Sequence, residues 1–301
     1  MKKILFIFMI AFLSLMGCQK ANDDRDNEQL YIYTSVYTLQ FVIEALLDDE
    51  AKVMSVYPPG VDAHTYEPSA RDITSIAKAD VFFYVGGHME GFTDTIAETL
   101  ADYPVEQYAL IDQKDIFLTD DHGELDPHIW LDPSRMIEVT DWAKSILLEL
   151  RPELKDHIDS NYHMLIEQFT ELDDKMYLLS DKYDEKPLLV VHDAYQYWAK
   201  RYGIKQISIH GMMAGEESSQ KKLAHITRLA EQYDIHYIIF EQNNDDQVAH
   251  VLLDYLHAKK VIIHDLEVLT DQDVRNQEDY LSIMDKNIDT LEMIFNEGTE
   301  N

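Results

Sequence analysis

Cysteine and basic residues are scarce in this sequence. Cys18 is the only cysteine among 301 residues, so the chain forms no internal disulfide. Lysine and arginine number 25 against 57 aspartates and glutamates, which gives a formal net charge of -32. This charge repels a phosphate backbone over most of the surface, and we therefore exclude nucleic acid as a partner. A repeat of fixed period is also absent, while the apolar fraction of 46% is enough for packed cores.

The longest apolar run lies at the N-terminus, where two lysines precede a mostly apolar stretch from Ile4 to Met16. These 13 residues are too few to cross about 30 Å of hydrocarbon as a helix, so they predict a signal peptide over residues 1–17. The end of the stretch, LMGC, resembles the lipobox of bacterial prolipoproteins, although Met16 is larger than the usual residue there. We therefore expect Cys18 to carry the lipid and residues 18–29 to form a flexible polar tether. Secretion with an unused thiol is the alternative.

After the tether, short β-branched or aromatic runs alternate with amphipathic stretches, which predicts βαβ units and parallel sheets. Each half of the chain supplies four strands. They are predicted at Leu30–Tyr37, Lys52–Tyr57, Asp80–Val85, Val105–Ile111, Leu188–Val191, Gln206–Ile209, Tyr237–Phe240 and Lys260–Ile263. From Pro152 the apolar spacing predicts one long helix of about 45 Å, a rigid connector. We expect an N-terminal α/β lobe at 30–150, a linking helix at 151–182 and a C-terminal α/β lobe at 183–301.

Four segments place a metal-competent side chain just after a predicted strand or inside a turn-rich stretch. Three carry a histidine: His64 in PPGVDAHTYEP, His128 in DPHIWLDP, and His192 at the end of an apolar strand. The fourth, IHDLEVLT, carries His264 and Glu267. Open α/β sheets bind their ligands at the carboxyl ends of the strands, where a residue that follows a strand lies. A lone histidine is usually a hydrogen-bonded structural residue, so the spacing alone leaves a metal site and structural histidines equally open.

Taken together and in this order, the segments PPGVDAHTYEPSARD, DPHIWLDP, VVHDAYQYWAKRYG and LEVLT resemble the metal-binding lipoproteins of bacterial zinc and manganese ABC importers, the cluster A-I family. The resemblance covers nearly the whole chain after the signal peptide. It implies two four-stranded parallel-sheet α/β lobes joined by one long rigid helix, with a metal site in the interlobe cleft. Carried over residue by residue, it implies His64, His128, His192 and Glu267 as the metal ligands.

Three imidazoles and one carboxylate suit Zn²⁺, whereas Mn²⁺ prefers more oxygen ligands. In the relatives that resemble manganese binders the third segment carries a carboxylate, but here it carries His192. A manganese or iron binder stays the alternative. His264 is the main rival of Glu267 for the fourth position, and an open three-histidine site would result if Glu267 did not bind. Other candidate neighbours of the site are Glu241, His210, Asp193 and His88.

The family resemblance implies an extracytoplasmic zinc receptor, held at the outer face of the cell membrane by its lipid anchor. Zn²⁺ is the transported ligand, and the partners are an ABC permease and its ATPase subunit. We expect a monomer and no enzymatic activity, because four protein ligands close a zinc site and the chain lacks an H-E-x-x-H helix. A surface adhesin in which the metal is only structural is the alternative from another class.

Overall fold

The computed structural model describes residues 29–87, 91–119, 123–182, 186–212 and 219–297. The predicted signal peptide, Cys18 and all of the tether except its last residue lie outside these ranges. Within them, every helix is too short or too polar to cross a membrane.

Four parallel strands form the first sheet, in the order β2-β1-β3-β4. They are β1 (Leu30–Thr34), β2 (Ala51–Ser55), β3 (Val81–Tyr84) and β4 (Glu106–Ala109). Their connecting helices are α1 (Tyr37–Leu47), α2 (Ala70–Ile76) and α3 (Thr93–Leu100). All four predicted strands are confirmed, each shorter than predicted. The first prediction ran too far because Tyr37, counted as a strand residue, begins α1.

The middle of the chain contains a two-stranded antiparallel ribbon and two helices. They are β5 (Leu118–Thr119), β6 (Leu125–Asp126), α4 (Pro133–Leu150) and α5 (Lys155–Ser180). The long linking helix is confirmed: α5 has 26 residues and is about 39 Å long, and it begins at Lys155 because Pro152–Leu154 forms a 3-10 turn. The sequence prediction did not identify α4, although its start carries an N-cap, Asp132, followed by proline at the first helical position.

The second sheet repeats the topology of the first. Its strands are β7 (Leu188–Val190), β8 (Gln206–Ser208), β9 (Tyr237–Phe240) and β10 (Lys259–Ile262), all parallel, in the order β8-β7-β9-β10. Its helices are α6 (Gln196–Tyr202), α7 (Gln220–Gln232), α8 (Gln247–Leu256), α9 (Asp271–Asn276) and α10 (Tyr280–Glu297). In both sheets the first strand in the chain has the second strand on one side, at the edge of the sheet, and the third strand on its other side. Each sheet thus has a switch point, where open α/β sheets bind ligands.

Aromatic packing joins the two halves through α5. Phe169 of α5 is fully buried and packs edge-on against Tyr280 of α10, with ring centroids 5.3 Å apart. Phe41 of α1 packs against both, at 6.3 Å from Phe169 and 5.5 Å from Tyr280. The largest buried cluster therefore contains residues of both sheets. Because this core is shared, the lobe boundaries at residues 150 and 182 stay a prediction.

Three aromatic side chains of the second half donate hydrogen bonds to main-chain carbonyls of the segment 126–132. They are the Tyr197 hydroxyl to Asp126, the Trp198 indole to Leu131 and the Tyr280 hydroxyl to Trp130, each at 2.7 Å and each buried. In return, the Trp130 indole donates to the carbonyl of Asp265 at 2.8 Å. The segment that carries His128 follows the first sheet in the chain, yet it is bonded to the second half. We call these four bonds the aromatic clasp.

Removal of one clasp hydroxyl tests its contribution to stability. Tyr280→Phe keeps the ring but takes a donor from the buried Trp130 carbonyl, and we expect a loss of about 1–3 kcal/mol in the free energy of unfolding. Urea unfolding followed by far-UV circular dichroism measures it. Tyr103→Phe is the matched control, because Tyr103 is 53% exposed, and its change should stay within about 0.5 kcal/mol. Equal unfolding midpoints for the two variants would contradict a stabilising clasp.

Candidate metal centre

The loop that carries His64 follows β2 and is held by short-range turns and by the second half of the chain. The Asp62 carboxylate accepts the main-chain N–H of His64 at 2.9 Å, which fixes the turn at the histidine. Gly60 has a φ of +84°, a conformation that glycine adopts without strain, and its N–H donates to the carbonyl of Leu269 at 2.8 Å. The histidine is therefore presented by a constrained backbone that both halves support.

His128 is fully buried and its tautomer is fixed by Asp126. One Asp126 oxygen accepts both the Nδ1–H of the ring, at 2.8 Å, and the main-chain N–H of His128, at 3.0 Å. Nδ1 is thus the donor, and Nε2 keeps its lone pair. Burial, reinforced by the charge of His192, lowers the pKa of His128 well below its ordinary value. The result is a neutral imidazole with one nitrogen ready to bind a cation.

His192 lies two residues after the end of β7 and bonds to a carboxylate that immediately follows β9. Its Nδ1 lies 2.7 Å from Glu241 Oε1, and its Nε2 lies 3.1 Å from the carbonyl oxygen of Met212. Burial disfavours the charged imidazole, but the charge and hydrogen bond of Glu241 outweigh burial and raise the pKa of His192 to about 9. Burial likewise disfavours the charged form of Glu241, but His192 lowers the pKa of this carboxyl overall. The pair is ionic, and Nε2 carries a proton that a metal ion would replace.

Glu267 follows β10 and brings a carboxylate to two of the histidines. Its Oε1 lies 3.6 Å from His64 Nε2 and 3.5 Å from His128 Nε2. The main chain of Glu267 is fixed on both sides: its N–H donates to Asp265 at 2.9 Å, and its carbonyl accepts from the N–H of Tyr37 at 2.8 Å. The carboxylate is 3% exposed, which places it inside the protein rather than in solvent.

The three histidines converge on one point. His64, His128 and His192 each offer a ring nitrogen, and these atoms all lie within 4.8 Å of one another. Both ring nitrogens of His64 and Nε2 of His128 are buried and have no hydrogen-bond partner among the described residues. Burial, followed by the charges of His192 and His128, lowers the pKa of His64 to about 3, so its lone pair is available. Buried polar atoms are normally paired, and a shared cation would pair Nε2 of His128 and one ring nitrogen of His64.

The remaining candidates bond to other partners, except for Glu241. The pairs are His264 with Asp273 (3.2 Å), His210 with Asp246 (2.8 Å) and Asp193 with Gln206 (2.5 Å). His88 lies outside the described residues. Sequence reasoning overlooked the carboxylate role of Asp126, for which the signal was an acidic residue two positions before a histidine. Glu241 was proposed as a neighbour of the ligands and contacts His192 directly.

The chain resembles proteins of known function along most of its length. The family model described as the zinc-uptake complex component A, periplasmic, matches residues 32–294. The zinc-binding lipoprotein AdcA of Streptococcus pneumoniae is 30% identical, in a match that covers 97% of this chain and 60% of AdcA. The high-affinity zinc uptake system protein ZnuA of Bacillus subtilis is 26% identical, over 95% of both chains.

The fold is also found among solved structures. The crystal structure of Zn(II)-bound AdcA from Streptococcus pneumoniae matches with a TM-score of 0.76 and 30% identity, covering 89% of this chain and 58% of AdcA. The chain therefore spans about 60% of the length of the AdcA relatives that it matches. Since the family model matches all but 38 of its 301 residues, the chain belongs to the family of the zinc-uptake complex component A.

Proposed function

We propose that this protein captures Zn²⁺ between its two sheets and delivers it to the permease of an ABC importer, which an ATPase subunit drives. The observation that carries the proposal is the convergence of three buried ring nitrogens within 4.8 Å of one another, with a carboxylate oxygen 3.5 Å from one of them. His64, His128, His192 and Glu267 are the proposed ligands. The names of the relatives, a zinc-binding lipoprotein and a zinc uptake protein, support the same reading.

The spacing of the proposed ligands suits a tetrahedral zinc ion. Ligand atoms about 2.0–2.1 Å from zinc lie about 3.3 Å from one another in a tetrahedron. The Glu267 oxygen already lies 3.6 and 3.5 Å from the nitrogens of His64 and His128. Three nitrogens and one oxygen favour zinc over manganese, which prefers oxygen-rich sites. Four protein ligands leave no open position for a substrate or an activated water, and we therefore propose a receptor without catalysis.

Charge balance at the site also suits a divalent cation. Zinc would replace the proton on His192 Nε2, while Glu241 keeps its bond to Nδ1 of the same ring. Glu241 and Glu267, with Asp126 behind His128, place three buried carboxylates around the proposed ion, and their negative charge favours a divalent cation. A carboxylate behind a ligating histidine orients the ring and makes it a stronger ligand. Asp126 does the same for His128.

A titration with zinc tests the proposed ligands. We expect the mature chain to take one zinc ion from a competing chromophoric chelator. Loss of a residue that only supports a ligand weakens metal binding about 10–100-fold. His192→Ala and Glu267→Ala should each weaken zinc binding by more than this, because they remove a ligand. His236→Ala is the control, since His236 pairs with Asp234 on the surface. Binding of zinc by neither wild type nor variants, or equal weakening by His236→Ala, would contradict the assignment.

Membrane attachment through Cys18 is proposed from the LMGC sequence. Cys18→Ser removes the thiol that would carry the lipid, whose acyl chains would hold the mature protein at the membrane. In fractionated cells the wild type should be recovered with the membrane and Cys18→Ser in the medium or periplasm. Recovery of the wild type in the medium or periplasm, together with Cys18→Ser, would exclude the lipid anchor and leave secretion with an unused thiol.

Delivery to an importer is tested by growth. Deletion of the gene in the source bacterium should stop growth in zinc-depleted medium, and added zinc should restore it. Complementation with Glu267→Ala should fail and complementation with His236→Ala should succeed. If rescue requires manganese or iron instead, the cargo is that metal. Unchanged growth together with reduced attachment to host matrix would favour the adhesin alternative.

A further inference from the structure

The turn that presents Glu267 contains a backbone conformation that its sequence does not favour. Leu266 has a φ of +66°, in the left-handed region, and its side chain is fully buried. Residues with a Cβ rarely adopt this conformation, and leucine has no side-chain polar group with which to stabilise it. Neighbouring groups must therefore hold the turn.

Two successive side chains hold it from the preceding positions. Nδ1 of His264 accepts the main-chain N–H of Leu266 at 2.9 Å, and Oδ1 of Asp265 accepts the N–H of Glu267 at 2.9 Å. Each bond joins a side chain to the N–H two residues later, which is the geometry of an Asx-type turn. The His264 bond acts on the strained residue itself.

His264 is in turn fixed at every polar atom. Its main-chain N–H donates to the side-chain oxygen of Asn287, and its carbonyl accepts from the Asn287 amide, both at 2.9 Å. Its Nε2 donates to Asp273 at 3.2 Å, and the same Asp273 oxygen accepts the N–H of Thr270 in the capping box of α9. Nδ1 is thus the acceptor and Nε2 the donor. With both ring nitrogens engaged, His264 has no lone pair free for a metal ion.

We infer that His264 is a positioning residue of the metal site: its Nδ1 holds Leu266 in the left-handed conformation that directs the Glu267 carboxylate at the histidines. The inference rests on the proposed function, in which Glu267 is the fourth zinc ligand. It also assigns the two candidates of the IHDLEVLT segment to different tasks, one to bind the ion and one to orient the ligand. Asp273 and Asn287 support His264 from α9 and α10.

Two substitutions test the roles of the two ring nitrogens of His264 separately. In His264→Asn the amide oxygen occupies the place of Nδ1 and can accept the Leu266 N–H, as in an Asx-turn, but the contact with Asp273 is lost. In His264→Gln the amide reaches the place of Nε2, and the acceptor for Leu266 is lost. His264→Ala loses both contacts. The first variant is the matched control for the other two.

Zinc affinity is measured by chelator competition on the mature chain. We expect His264→Asn to bind zinc to well within tenfold of the wild type, and His264→Gln and His264→Ala to lose about 10–100-fold, the range for residues that support metal ligands. Equal loss in the Asn and Gln variants, to the level of Glu267→Ala, would overturn the inference and restore His264 as a ligand. Wild-type affinity in all three variants would also overturn it.

Cobalt(II) in place of zinc gives a second readout that a general loss of stability would not change. Tetrahedral Co²⁺ absorbs visible light strongly, whereas five- and six-coordinate Co²⁺ absorbs weakly. We expect a strong spectrum for wild type and His264→Asn, and a weaker one for His264→Gln, in which the displaced Glu267 lets more than one water bind and raises the coordination number. Identical spectra for Asn and Gln variants would overturn the inference. Failure of the wild type to bind either metal would overturn the proposed function, and this inference with it.

Discussion

The energetic cost of burying unpaired ring nitrogens is the constraint on which the arrangement of this molecule depends. His64, His128 and His192 bring ring nitrogens within 4.8 Å of one another, and both nitrogens of His64 and Nε2 of His128 have no hydrogen-bond partner among the described residues. Each buried polar atom without a partner costs about 1–3 kcal/mol. The fold meets this cost by keeping two rings neutral and by pairing the third with Glu241. A cation at the centre would turn the same cost into binding energy.

Such a site requires a frame that holds the side chains in place. The segments that carry the proposed ligands are joined by hydrogen bonds between the two halves. The His64 loop bonds to Leu269, the His128 segment is held by the aromatic clasp, and the carbonyl of Glu267 accepts from Tyr37. Moving one half away from the other would break these bonds together, each worth about 0.5–1.5 kcal/mol. For the proposed capture of Zn²⁺, local movement of side chains would therefore cost less than separation of the two sheets.

The sequence pattern predicted the two four-stranded sheets and the long helix, and the family resemblance supplied the candidate ligands. Strands such as Tyr237–Phe240 are short, β-branched or aromatic and fully buried, so their pattern is unambiguous. The histidines stand out because each follows a strand or lies between prolines. The start of α4 carries equally clear signals, since Asp132 and the proline after it are standard features of a helix N-terminus, although the sequence prediction did not identify this helix.

What the sequence left open depends on contacts between distant residues. Glu241 is 49 positions from His192 in the sequence, and no local sequence pattern predicts the 2.7 Å hydrogen bond between them. The choice between His264 and Glu267 as the fourth proposed ligand likewise depends on contacts between distant residues. It depends on a left-handed Leu266, and leucine carries none of the signals with which glycine or asparagine marks such a turn. Sequence patterns report local preference, whereas this turn is imposed by tertiary hydrogen bonds.

The three histidines differ in how tightly they are held. Asp126 fixes the ring of His128, and Glu241 fixes the ring of His192, but neither nitrogen of His64 has a hydrogen-bond partner among the described residues. The His64 side chain is also 14% exposed, against 0% for His128. A ring without a carboxylate behind it loses more rotational freedom when it binds a metal, and it is a weaker ligand. Among the proposed ligands, His64 is therefore the one whose bond to the ion breaks at the lowest cost, on the side of the site that faces solvent.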